Sequence, residues 1–269
     1  MPLAPLPLAH ELAHGGHAHE GAGLSLPLLA VGLLLACYLA AATRLWHQGG
    51  RRWSPWRTGA FTLGCALLAL ALAPPLAAEA HADFRGHMLQ HLLIGMYAPL
   101  GLVLGAPVTL ALRTLGGDGG RRLVRVLNLP PVRALTHPVT ALLFSAGGLY
   151  VLYGTPLYHA TAANPLLHEL VHLHFLVSGC VFAWSVAGPD PAPHRPSAPF
   201  RLVVLGLAIA AHATLSQLLY AGLLDVDAPA AQVRGGAELM YYGGDFAEIL
   251  LALALMATWR PRRAALATP

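Results

Sequence analysis

Two pairs of histidines stand four residues apart in this chain: His87 with His91 in GHMLQHLLIGM, and His168 with His172 in LLHELVHLHF. On a helix that spacing puts both imidazoles on one face, about one turn apart. Each pair can therefore offer two ring nitrogens to one metal ion or cofactor. Two more groups with ligand chemistry stand in apolar surroundings, His212 and Asp245, and Glu248 follows one turn after the aspartate. Several imidazoles with a carboxylate suit copper, zinc or iron. The second nitrogen of each liganding ring needs an acceptor, which Asp245 or Glu248 can supply. Thioether sulfur is close in sequence: Met88 and Met96 beside the first pair, Met240 ahead of Asp245. Copper(I) accepts thioether and imidazole together, so the set favours copper.

Plainer roles compete for the same residue types. A histidine at a helix end more often sits at an interface or holds a carbonyl, and that is the expected role of His81, His159 and His174. His174 falls two residues from His172, on nearly the opposite helix face. Met88, Met96 and Met240 also suit core filling. The three cysteines, Cys37, Cys65 and Cys180, have no CxxC spacing and fall in apolar stretches. They read as small buried groups rather than a disulfide framework, with a thiolate copper(I) site as the minority reading. The tail histidines His10, His14, His17 and His19 could capture metal from outside, or form only a solvated tail.

The elements that must position these groups are membrane helices. The chain has 269 residues, 56% of them hydrophobic and 10% charged, against about 25% charged in a soluble domain. Its arginines are dispersed between apolar runs, which argues against nucleic acid as a partner. Apolar stretches of about 20 residues can span a bilayer. The expected fold is all-α: a polytopic membrane helical bundle of about seven spans, near 24–44, 59–78, 87–112, 136–153, 166–187, 201–221 and 238–259. The third span holds Pro99 and Pro107 and should kink or end early; Gly101 and Gly105 there read as helix-packing positions. Connections 113–135 and 188–200 read as Gly/Pro/Arg-rich loops. Three segments follow: a His-rich tail at 1–23, a transmembrane domain at 24–259, and a basic tail at 260–269. The first residues lack a basic n-region and early apolar core, so no cleavable signal is expected.

All but two of the 16 basic residues, every one an arginine, fall in alternate connections and the C-terminal tail; the exceptions are Arg85 and Arg234. The positive-inside rule then puts the N-terminus outside and the C-terminus in the cytoplasm. With that topology, His91, His172, His212 and Asp245 share a layer about 6–14 Å below the outer surface, at about 1.5 Å per residue. His87 and His168 lie nearest that surface and are the first candidates for a gateway or supporting role. Polar groups at one depth on four spans point to a functional site.

The segment HMLQHLLIGMYAPLGLVLGAP (87–107) resembles the signature of the CtaG-type membrane family of cytochrome c oxidase assembly factors. LHELVHLHFLVSG (167–179) and QVRGGAELMYYGGD (232–245) are similar to its later motifs. The resemblance runs from about residue 30 to 259. His87, Gln90, His91, Pro99, Gly105 and Pro107 match the first motif, His168 and His172 the second, and Gln232, Gly236 and Met240 the third. Ala231 stands where the family often has Asp, and Tyr241 where it often has Trp. The resemblance implies a multi-pass protein of the bacterial inner membrane that helps mature haem–copper oxidases, at the copper step, without being an enzyme. Joined to the depth argument, it gives the expected function: binding copper at an outer-leaflet site of His87, His91, His168, His172, His212 and Asp245, supported by Glu248, Met88 and Met240. The copper would pass to an oxidase subunit or another copper chaperone. The rivals are a haem-binding or quinone-reactive electron-transfer protein, a metal transporter, a membrane hydrolase using metal-bound water, and a scaffold whose histidines only pair with Asp245.

Overall fold

A computed structural model describes residues 26–47, 52–192 and 195–259. The tail histidines His10, His14, His17 and His19 and the basic tail at 260–269 lie outside the described residues. The described residues are mostly helical, without strands, and proline sets many helix starts. Pro lacks an N–H and presets φ, so it suits the first turn. It opens α2 (Pro55–Leu72), α3 (Pro74–Ala82), α6 (Pro107–Thr114), α8 (Pro130–Leu135), α9 (Pro138–Gly154) and α11 (Pro165–Ala187). The other helices are α1 (Leu26–His47), α4 (Phe84–Leu92), α5 (Ala98–Leu104), α7 (Gly116–Leu127), α10 (Leu157–Ala163), α12 (Ala198–Tyr220) and α13 (Ala230–Thr258).

Among the described residues six helical stretches are long and apolar enough to cross a membrane, and the chain is a multi-pass membrane protein. The 17-residue α9 makes a seventh only together with α10, which bends away by 77°. Alone, α9 reaches about 25 Å, short of a hydrocarbon core of about 30 Å. The second span ends at Leu72, earlier than the apolar pattern implies, because Pro74 and Pro75 break it and start α3. The connection at 113–135, expected as a loop, holds α7 and α8. Gly-rich GGDGG masks the amphipathic RRLVRVL that follows it.

The long third span runs from Phe84 to Thr114 in pieces. A π-turn at Leu93–Tyr97 precedes Pro99, whose missing N–H leaves the Gly95 carbonyl without its helical partner. The span breaks again at Ala106, held at φ 52°, before Pro107 restarts it as α6. Gly101 and Gly105 do pack helices. A Cβ on Gly101 would meet the Gly64 backbone of α2 at 2.8 Å, and one on Gly105 would meet Phe61 at 2.6 Å. Pieces α4 and α5 form the centre of the bundle, with α2 on one side, α11 and α13 on others, and α12 and α9 beyond.

Polar side chains close the gaps that proline opens. The Ala71 carbonyl would bond the amide of residue 75, but that residue is Pro75. Gln90 Nε2 donates to it instead, at 2.8 Å. Gly105 O accepts from Tyr38 Oη at 2.7 Å, and Asp190 caps the start of α6, taking the Val108 and Thr109 amides and the Thr109 hydroxyl. Gln232 Oε1 accepts from the Phe84 amide at the start of α4, across 148 residues of sequence. Gln90 and Gln232, both in the family-like motifs, thus hold the helices that carry the histidines.

Candidate functional site

Both histidine pairs reach one place. His87 and His91 on α4, with His168 and His172 on α11, line a single small cavity of about 10 Å³, closed by Ile94, Leu152, Thr161, Val171 and Phe175. That is room for roughly one water or ion. A second cavity of about 60 Å³ lies deeper, lined by His91, Met96, His212 and Glu248 among apolar side chains. His91 and Phe175 border both cavities, and their rings meet edge to face at 4.8 Å. His91 is therefore the junction, within charge–charge range of His87, His172 and His212.

The groups follow a gradient of burial. His81 is exposed and its ring lies 5.1 Å from that of His168. His168 and His172 are half-buried, with centroids 4.2 Å apart. His91, His212 and Glu248 are buried. Outside the spans, the carboxyl of Asp83 is held below its ordinary range by hydrogen bonds from Arg85, and it caps α4 just before His87.

The deeper groups lack hydrogen-bond partners among the described residues. His212 has both ring nitrogens unpaired, Glu248 has Oε2 unpaired, and His172 has Nδ1 unpaired. Leaving such atoms buried costs about 1–3 kcal/mol each. They need a ligand, an ion or water. A cradle exists for the ring: a Cβ added to Gly244 would land on the His212 imidazole. His87 differs, because its Nε2 is engaged by the Tyr153 hydroxyl at 3.0 Å. That leaves it one free nitrogen and fits a supporting role.

Other expected residues fall elsewhere. Asp245 lines neither cavity; it is half-buried and makes no hydrogen bond or ion pair among the described residues. Glu248, one turn on, lines the deeper cavity with His91 and His212. Met88 and Met240 are fully buried in the core, and Met88 Sδ accepts from Tyr153. Met96 is the thioether that lines a cavity. His174 faces α9, packed on Phe144 at 4.6 Å and away from His172. Cys37 is exposed, Cys65 buried and Cys180 half-buried. Among the described residues no three His, Cys, Asp or Glu stand close enough to hold one ion together. Neither a thiolate cluster nor a closed six-group site is formed. The set instead offers donors in succession.

His81 is the residue whose neighbourhood sequence reasoning missed. Its signal is Pro74–Pro75, which detaches α3 from the second span. Gly86 then lets α3 lie against α4, since a Cβ there would meet Glu79 at 2.8 Å.

The chain matches the family described as cytochrome c oxidase caa3 assembly factor (Caa3_CtaG) over residues 36–262. It is 37% identical over 191 residues to uncharacterized proteins of Mycobacterium bovis and Mycobacterium tuberculosis, covering 68% of this chain and 29% of each of theirs. It is 32% identical over 245 residues to an uncharacterized protein of Mycobacterium leprae, covering 82% of this chain and 37% of that one. The chain thus spans about a third of the length of these curated relatives. No solved structure matches it. By the match over most of its length, the chain belongs to the caa3-type cytochrome c oxidase assembly factor family.

Proposed function

We propose that this chain handles copper for the assembly of a haem–copper cytochrome c oxidase. It takes the ion at its histidine-lined end and releases it to an oxidase subunit or another copper chaperone. The observation that carries this reading is the meeting of both histidine pairs on one ion-sized cavity, with His91 shared between it and the deeper His212–Glu248 cavity. Cargo must be released, and stepwise pairs of donors favour exchange of one ligand at a time. Imidazole with the Met96 thioether suits copper(I). His172 Nδ1 and both His212 nitrogens are free to bind, and Glu248 can hold a ring N–H or balance charge. Arginine placement puts the histidine end outside the cytoplasm, at the plasma membrane of a bacterium.

Cavity size favours this reading over haem. Cavities of about 10 and 60 Å³ suit an ion with water, whereas organic cofactors occupy about 300 Å³ or more. The test is elemental analysis of protein purified without added metal, alongside its absorbance spectrum. Copper without a Soret band is expected; stoichiometric haem would sink the proposal.

A further inference from the structure

The opposite end of the bundle carries a second unexplained set. His168 and Trp184 lie on the same helix, about 24 Å apart along its axis. Beyond Trp184, a cleft of about 880 Å³ is lined by Arg57, Arg195 and Arg201, with Ser197, Thr258 and Trp259. An adjoining cleft of about 530 Å³ shares Arg195 and adds Arg133. Part of each guanidinium is used internally: Arg201 Nη1 donates to Val186 O, and Arg195 Nη2 donates to Asp190 O at 2.9 Å. The first of these, with a bond from Arg195 Nη2 to Trp184 O at 3.4 Å, caps the C-terminus of α11. The rest is unspent. Nε of Arg195 and Nε of Arg201 are buried without an acceptor among the described residues, and Arg201 is only 6% exposed.

Carboxylates do not balance this charge. Among the described residues the arginine end holds two acids. Asp118 pairs with Arg121, and Asp190 is committed to the start of α6. There is no Asp or Glu from 191 to 224, nor after Glu248. Burial, and then the Arg201 charge, push the Arg195 guanidinium down to about 10, with Asp190 opposing. A half-buried and a buried guanidinium lining one cleft, each with an unpaired buried Nε, offer N–H donors and positive charge to an anion.

We propose that this cleft binds a phosphate group, carried by an anionic membrane lipid or free in solution. The cleft is bounded by the start of α12 and the end of α13, where spans leave the bilayer, and half-exposed Trp259 flanks it. Basic pockets between spans at such a level hold lipid headgroups, and the guanidinium fork suits phosphate oxygens.

The test is native mass spectrometry of the full chain in detergent, with phosphatidylglycerol or phosphatidylcholine added. Phosphatidylglycerol should be retained preferentially, and Arg57→Gln and Arg195→Gln should each cut its retention by about fivefold. Arg57 is half-buried on the cleft rim, so its variant keeps the test open if Arg201→Gln fails to fold. Inorganic phosphate added as competitor separates the sources: displacement supports a site for free phosphate, and resistance supports one for the lipid. Equal retention of both lipids, or retention unchanged in both variants, would overturn the proposal.

Discussion

The two ends of this bundle differ in how far their buried polar groups serve the backbone. At the arginine end they repair helix ends: Arg201 and Arg195 serve the last carbonyls of α11, Thr258 Oγ1 donates to Ala187 O, and Asp190 serves α6. At the histidine end the imidazoles repair nothing. Those of His91, His172 and His212 line small cavities and make no side-chain hydrogen bond among the described residues, and the helix repairs there are left to Gln90 and Gln232. A buried group that closes a backbone gap is accounted for by the fold. One that closes none is open to a ligand: His172, His212 and Glu248 keep unpaired buried atoms beside the cavities and His91 lines both, whereas the unpaired Nε2 of His174 is packed on α9 away from His172.

Substitutions that break this contrast should scale with it. His91→Ala removes the junction of both cavities and should lower copper affinity by about 100-fold or more while the protein stays in the membrane, read by competition with a copper chelator. His172→Ala and His212→Ala each remove one free donor, and about tenfold is expected. Glu248→Gln keeps the shape and removes the charge; a loss between those of His212→Ala and His87→Ala is expected. His87→Ala should cost only a few-fold, because Tyr153 already engages its Nε2. His174→Ala should leave copper unchanged, since its ring packs on α9. Gln90→Ala sharpens the contrast from the other side. It should destabilise the fold by about 1–3 kcal/mol through the stranded Ala71 carbonyl, with metal affinity changing only as far as α4 moves.

Much of this was legible in the chain itself. Helical spacing within each pair and the alternation of arginines suffice to bring His87, His91, His168 and His172 to one end. The choice between Asp245 and Glu248 was not legible. Three residues apart on α13, they differ by about 60° around the helix, and only the packing of α13 on α12 decides which faces His212. Proline and glycine hid two features as well. The break at Pro74–Pro75 made α3, and with it the approach of His81 to His168. The Gly-rich start of α7 concealed a helix, because GGDGG alone reads as a loop.

Copper is expected among the histidines of α4 and α11. Copper stoichiometry with X-ray absorption on the purified protein and on a His91→Ala/His172→Ala double variant tests it most directly. About one copper per chain with imidazole nitrogen neighbours, lost in the double variant, is the predicted result. Equal copper in both proteins, with the same neighbours, would place the ion away from His91 and His172.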